Sequence, residues 1–263
     1  GEIVNCLLDK IHQQGSKVLG IGVAVPGLID TENGKVIFSA QLQWKQKNLA
    51  DLFKKEVNGL PIKIDNEMKA RAIAESFYGI AKSSRRAVLM NIGSGVGAAL
   101  IINGEVYRGS SNIAGEIGHI TVDPNGLLCE CGRLGCLQTY IADWALIEQA
   151  RKFSNVSSVA DIFNAGKSGE QWAINIISRA VDYIGIAIST LVCMYNPDKV
   201  ILCGRLLEDN PEMITLIKQK YFNFVWGQIS NTFTLEFTKL WEPATIIGAG
   251  TIAFLAKLDD YII

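Results

Sequence analysis

One imidazole and three thiols, close together in the sequence, limit how residues 115–140 can fold. Gly115-Glu-Ile-Gly-His119 is followed ten residues on by Cys129-Glu-Cys-Gly-Arg-Leu-Gly-Cys136. Zinc takes four soft or borderline ligands in a tetrahedron, and Cys3His is one of its structural sets. The Cys-x-Cys pair puts two thiolates on one tight turn. Gly132 and Gly135 let that turn bend back so that Cys136 reaches the same ion. His119, Cys129, Cys131 and Cys136 are therefore the expected metal ligands, with structural zinc as the cofactor. The alternatives are a disulfide or a chance cluster. Three clustered cysteines cannot all pair with one another, and nothing in the sequence points to an oxidising compartment.

Composition narrows the class. The chain has 263 residues and a net charge of -1, with 49% hydrophobic and 19% charged residues. That predicts a soluble globular protein with a large core, long enough for two lobes. No apolar run is read as reaching the roughly 18 residues of a membrane span. No secretory signal opens the chain. A cytoplasmic protein with no membrane partner is expected. Cys6, Cys193 and Cys203 stand among apolar residues and read as core thiols. Nucleic-acid-binding domains carry a basic stripe. Here Lys54-Lys55 and Arg85-Arg86 are isolated pairs that read as solvated surface, so this chain is not itself built to hold DNA.

Periodicity predicts alternating strands and helices, hence an α/β fold. Helices are expected over 2–14, 49–57, 66–78, 170–195, 211–226 and 247–258, with a largely helical but broken stretch over 137–163. Strands are expected over 18–25, 35–38, 61–64, 87–92, 98–102, 199–203 and 233–237. Asn103-Gly104 marks a hairpin turn. Asn196-Pro197 stops the long helix before it. The chain opens directly on a helix, so the first strands of the sheet are expected to lie outside it.

Two further segments bear on chemistry. Gly93-Ser-Gly-Val-Gly97, between two apolar strands, lets backbone N–H groups approach an anion. A tight turn without a ligand explains it equally well, and no Gly-Lys-Ser/Thr follows to make a P-loop. Asp65-Asn66-Glu67 falls at a strand-to-helix junction. It either caps the helix and favours its dipole, or supplies hydrogen-bonding groups at the carboxyl end of a strand, where α/β folds bind ligands. In the second case Glu67 can act as a general base towards a hydroxyl. Glu116 and Gln138 flank the thiol loop, which fixes their direction. Carboxylates and amides held this way suit a polyhydroxy ligand.

Gly20-Ile-Gly-Val-Ala-Val-Pro-Gly27, Asp65-Asn-Glu67, Ile92-Gly-Ser-Gly-Val-Gly97, Gly115-Glu-Ile-Gly-His119 and Cys129 to Cys136 occur in the order of the landmarks of the ROK family. On those motifs the chain resembles that family of sugar kinases and sugar-responsive repressors over nearly its whole length. The resemblance implies an actin-like (ribonuclease H-like) two-lobed fold whose first N-terminal strands are absent here. Residues 1–66 with a closing helix at about 246–263 would form the N-terminal lobe, and 67–245 the C-terminal lobe with the zinc loop. It implies a monosaccharide in the interlobe cleft, contacted by Gly27 backbone, Asn66, Glu67, Glu116, His119 and Gln138. Candidates for a nucleotide loop are Gly93, Ser94, Gly95 and Gly204.

Three departures separate the two branches of the family. Glu67 stands where the kinases have a catalytic Asp. The extra methylene moves the carboxylate by about 1 Å, and misplacement on that scale costs roughly 100-fold. The xylose-type repressors resemble this chain in having Glu there. Gln138 stands where the family has a sugar-binding Glu. The kinases' Asp-x-Gly-Gly-Thr phosphate loop is absent, and their later Gly-Gly loop reads Cys203-Gly-Arg-Leu206. The expectation is the effector-binding region of a transcriptional repressor that senses a sugar such as xylose or glucose. It would assemble as a homodimer or dimer of dimers and reach operator DNA through an N-terminal domain outside this chain. No residue is catalytic in that case. The alternative is an ATP-dependent hexose kinase, with Mg-ATP as cosubstrate and Glu67 as base.

Overall fold

The computed structural model describes residues 2–54, 56–57 and 59–259. They fall into two units. The first comprises Gly1–Tyr78, Arg108–Ile113 and Pro243–Ile263, and the second Gly79–Tyr107 and Ala114–Glu242.

In the first unit, α1 (Glu2–Gln13) precedes β1 (Ile21–Val25). β2 (Leu28–Asp30), β3 (Lys35–Ser39) and β4 (Trp44–Asn48) form an antiparallel sheet in that order. Next come α2 (Leu49–Lys54), β5 (Ile62–Asn66) and α3 (Glu67–Phe77). β5 pairs in parallel with β1, from Ile21 opposite Ile62 to Val25 opposite Asn66. Val25, Ile29, Val36, Leu49 and Ile64 form a small core. The last helix of the chain, α10 (Pro243–Asp259), packs on β1 and α3. That packing depends on glycine. A Cβ on Gly22 would lie 1.7 Å from the Ala249 carbonyl oxygen, and one on Gly248 would lie 1.8 Å from that of Ala70. Backbones this close leave no room for any side chain. The contact also keeps α3 with the first unit, whose first stretch runs on through Tyr78.

The second unit is built on a five-stranded sheet. Its strands are β6 (Arg86–Ile92), β7 (Val96–Ile102), β8 (Glu105–Tyr107), β9 (Lys199–Cys203) and β10 (Thr234–Phe237). The spatial order is β10-β9-β6-β7-β8. The first three run parallel, β7 runs antiparallel to β6, and β8 antiparallel to β7. The helices are α4 (Gln138–Ile141), α5 (Asp143–Ala150), α6 (Val159–Lys167), α7 (Gln171–Tyr195), α8 (Arg205–Asp209) and α9 (Pro211–Lys220). The core gathers Val88, Met90 and Ile92 of β6 with Ile184, Ile188 and Leu191 of α7. Asn196, in the left-handed region at φ 43°, caps α7 before Pro197.

Several expectations need correction. The helix α7 is 25 residues long and holds an 18-residue window of mean hydropathy 1.6, enough by length and composition to cross a membrane. Half of that window is buried inside the unit, and this packing accounts for its apolar face. Cys6 and Cys193 are exposed rather than core thiols, and only Cys203 of those three is buried. The reason for Cys6 is that α1 buries none of its residues. Arg86 is half-buried, with Nη1 donating to the Tyr195 carbonyl. The helix expected over 211–226 ends at Lys220 and continues as two short 3-10 turns. The helix expected over 49–57 ends at Lys54, and Lys55 lies outside the described residues. β2, β4 and α8 were not anticipated. β4 reads Trp-Lys-Gln-Lys-Asn and is exposed beyond Trp44, so it carries no apolar alternation.

Candidate functional site

The thiol loop hangs from β7. Ala98 donates its amide to the Gly115 carbonyl at 2.7 Å. A Cβ on Gly115 or Gly118 would lie 1.9 Å from the Ala98 oxygen or 2.3 Å from the Val96 oxygen. The two glycines of Gly-Glu-Ile-Gly-His are thus required by backbone contact with the strand. They deliver Glu116 and His119 to either end of a single 3-10 turn, where the His119 amide donates to the Glu116 carbonyl at 3.1 Å. Residues 128–136 then double back. Cys129 N donates to the Arg133 carbonyl and Gly132 N to the Cys129 carbonyl. Leu128 bridges Leu134, and Thr121 bridges Cys136. Gly135 has φ 67°, and a Cβ there would sit 1.5 Å from the Asp123 oxygen.

This folding gathers the four expected ligands. Cys129 Sγ is 3.8 Å from His119 Nδ1, and Cys131 Sγ is 3.5 Å from Cys136 Sγ. All four ligand atoms lie within 4.8 Å of one another. A tetrahedron with metal–sulfur bonds of about 2.3 Å has edges of about 3.8 Å, so the set is the right size for one ion. None of the six cysteines, all among the described residues, forms a disulfide. Burial pushes the Cys136 thiol up to about 12, with the neighbouring thiols adding to it. Burial also raises Cys129. For Cys131 burial works upwards too, but the Arg133 amide and the adjacent thiols outweigh it and the net direction is down. Three sulfurs this close cannot all be charged unless a cation sits among them. The donors, their number and their spacing fit such a metal.

Gln138 opens α4 and is buried. Its Nε2 donates to Cys129 Sγ at 3.4 Å and to Glu130 Oε1 at 3.1 Å, so its amide is held against the thiol loop.

In the first unit, Asn66 serves the capping reading of its segment. Its Oδ1 accepts the amides of Met68 at 2.8 Å and Lys69 at 3.1 Å, capping α3. Its Nδ2 donates to the Gly27 carbonyl at 2.8 Å, which brings two of the expected sugar contacts together. Burial holds the Glu67 carboxyl above its ordinary range, offset in part by the Arg71 guanidinium. The sequence reading missed Arg108 and Asn112. Arg108 donates from Nη1 and Nη2 to the two oxygens of Asp65, at 3.1 and 2.6 Å. Asn112 donates to the Ile29 carbonyl at 3.0 Å. The only trace in the sequence was a lone arginine in the stretch leading to Gly115.

The nucleotide-loop candidates lie together in the second unit. Gly93 N donates to the Gly95 carbonyl at 3.1 Å, and Asp143 N donates to the Gly93 carbonyl at 3.0 Å. A Cβ on Gly93 would fall 3.5 Å from the Arg205 amide nitrogen, and one on Gly204, at φ 111°, would lie 2.3 Å from the Ile92 oxygen. Ser94 is exposed. Close backbone approach therefore explains Gly204, whereas a Cβ on Gly93 would meet only ordinary contact. Two carboxylates stand nearby. Burial raises Asp143, the Asp209 charge adds to this, and the Arg205 charge opposes it. Asp143 Oδ1 is buried with no hydrogen-bond partner among the described residues.

A sequence model of the ROK family matches residues 1–256. The xylose repressor of Bacillus subtilis (strain 168) is 31% identical over 260 residues, covering 96% of this chain and 67% of the repressor. Among solved structures, a ROK family transcriptional regulator homologous to the E. coli MLC protein superposes with a TM-score of 0.81 at 26% identity, over 97% of this chain and 67% of that one. A ROK hexokinase from Thermus thermophilus gives 0.84 at 26% identity, over 98% and 88%. The α/β architecture is accordingly the actin-like, ribonuclease H-like fold.

Proposed function

The chain belongs to the ROK family, and we propose that it is the sugar-sensing region of a transcriptional repressor of that family. In this reading a monosaccharide such as xylose or glucose is the effector. Asn66, Glu67, Glu116, His119 and Gln138 exchange hydrogen bonds with its hydroxyls, and the Gly27 backbone borders it. Zinc held by His119, Cys129, Cys131 and Cys136 is structural. When bound, it supplies no chemistry beyond tying 115–138 into one body, and so orients Glu116 and Gln138. The sugar acts on DNA only through differential affinity for two conformers of the protein. Operator DNA is contacted by a segment outside this chain, in keeping with the 67% of the xylose repressor that the chain spans. The protein works in the cytoplasm as a homodimer or dimer of dimers.

The observation that favours regulator over kinase is the likeness to repressors of the family, the xylose repressor of Bacillus subtilis being 31% identical. Glu67 opens α3, at the position where the resemblance gives the kinases a shorter catalytic Asp. Phosphoryl transfer rests on positioning and on electrostatic stabilisation of the transferring group. Against this, the hexokinase similarity and the raised Glu67 carboxyl keep a sugar kinase with Glu67 as base as the second reading. A coupled ADP-release assay with Mg-ATP and a panel of pentoses and hexoses separates them. Background turnover is expected. A rate of about 1 per second or more, on the scale of ordinary enzymes, establishes the kinase.

A further inference from the structure

Residues Arg108–Ile113 belong to the first unit, although Tyr107 and Ala114 on either side belong to the second. The segment is fastened by side chains. Asp65 is 2% exposed, and Arg108 grips both of its carboxylate oxygens. A buried charge persists only when it is paired and hydrogen-bonded. A bidentate guanidinium fixes the carboxylate plane as well as its charge. Asp65 Oδ1 also accepts the Asn66 amide at 2.7 Å. Farther along, Arg108 Nη1 donates to Asn112 Oδ1 at 3.0 Å, and Asn112 Nδ2 donates to the Ile29 carbonyl at 3.0 Å. Asn112 adopts φ 59°, a left-handed conformation that asparagine tolerates better than most residues. Only Ile113 and Ala114 then separate this anchor from Gly115, whose carbonyl is held by Ala98. Glu116 comes next.

We propose that Arg108 is a positioning residue for the sugar site, aligning Asn66 through Asp65 and fixing the segment that carries Glu116. This rests on the sugar-sensing reading above. The spent bonds show why alignment matters. Asn66 gives its Oδ1 to two helix amides and one Nδ2 hydrogen to Gly27, which leaves a single side-chain hydrogen for a ligand. A donor with one remaining direction is useful only while its backbone is fixed. Asp65 supplies that fixation, and Arg108 in turn holds Asp65. An ion pair that served stability alone would leave sugar affinity untouched once the unpaired charge was removed.

That difference defines the experiment. Arg108→Met, Arg108→Lys and the double variant Arg108→Met/Asp65→Asn are compared with the intact protein. The readouts are thermal melting, titration with D-xylose and D-glucose, and amide hydrogen exchange over 109–116. Arg108→Met is expected to melt lower and to bind sugar at least about tenfold more weakly, the scale of one lost charged hydrogen bond. The double variant removes the buried charge and regains melting temperature, yet affinity stays weak and exchange stays fast. Arg108→Lys keeps the charge without the fork and falls between. Affinity that returns with melting temperature in the double variant, or is unchanged in every variant, overturns the proposal. If the intact protein takes up neither sugar, xylose and glucose are ruled out as its effector. Hydrogen exchange then decides the anchor: faster exchange over 109–116 supports it, and unchanged exchange overturns it.

Discussion

The sulfurs of Cys131 and Cys136 lie 3.5 Å apart as free thiols, one exposed and one buried. Each is half of a separate job. Cys131 comes from the Cys-x-Cys turn, and Cys136 comes from the strand-like return that leads into α4. An ion bridging them joins both ends of the loop, whose side chains contribute little core of their own: Leu127, Leu128 and Leu134 are all exposed. Cys131→Ser is therefore expected to abolish stoichiometric zinc, lowering affinity by more than the roughly 10- to 100-fold that outer-shell changes cost. It should also speed hydrogen exchange through 115–140. Metal analysis of protein purified under reducing conditions checks this, and full zinc content in the variant would refute it.

Proton release gives a second check. With no ion present, burial keeps Cys136 protonated up to about 12 and raises Cys129. Zinc requires thiolates, so binding must expel protons at neutral pH, and affinity must rise with pH. Calorimetry of zinc binding in buffers of different ionisation enthalpy should show proton release at pH 7 and progressive loss of metal on acidification. Binding without proton release would mean that other groups hold the ion.

Glu67 predicts a trade between stability and binding. Its carboxyl is raised by burial, so its folded-state pKa lies above the unfolded value of roughly 4.3. Such a group favours folding below the unfolded pKa and loses that contribution as pH rises through the folded pKa. At pH 7 the burial of Glu67 is therefore a cost. Glu67→Gln is expected to raise the melting temperature of sugar-free protein at pH 7, with no gain at pH 4. Sugar affinity should fall by on the order of 2 kcal/mol, the value of a hydrogen bond to a charged group. Melting curves at the two pH values, with sugar titration beside them, give the outcome directly. A variant that is less stable at pH 7 contradicts this account of the burial.

What the sequence disclosed and what it hid follow physical lines. The long apolar strands β6 and β9 and the helix α7 were legible because their residues face the core. The clustering of His119, Cys129, Cys131 and Cys136 was legible because metal chemistry demands those residue types within a short span. β4 was hidden because an exposed strand carries no apolar alternation. Arg108 was hidden because its partner, Asp65, is 43 residues away and no local pattern marks the pair. Gly204 was read as a nucleotide-loop candidate, and its backbone packs closely on that of Ile92. A glycine needed for close approach looks the same in sequence whether the approaching group is a ligand or the chain itself. The exposed Cys6 and Cys193 show that apolar neighbours along a helix do not reveal which face a residue occupies.

The central claim is that the protein binds a monosaccharide through Glu116 and its partners. Isothermal titration of the intact protein with a panel of pentoses and hexoses tests it most directly, with Glu116→Ala as the control. The account predicts saturable heat at one site per chain for at least one sugar. It also predicts a loss on the order of 2 kcal/mol in the Glu116 variant, which leaves sugar hydroxyls without their charged partner. No heat with any sugar from folded, zinc-loaded protein would contradict it.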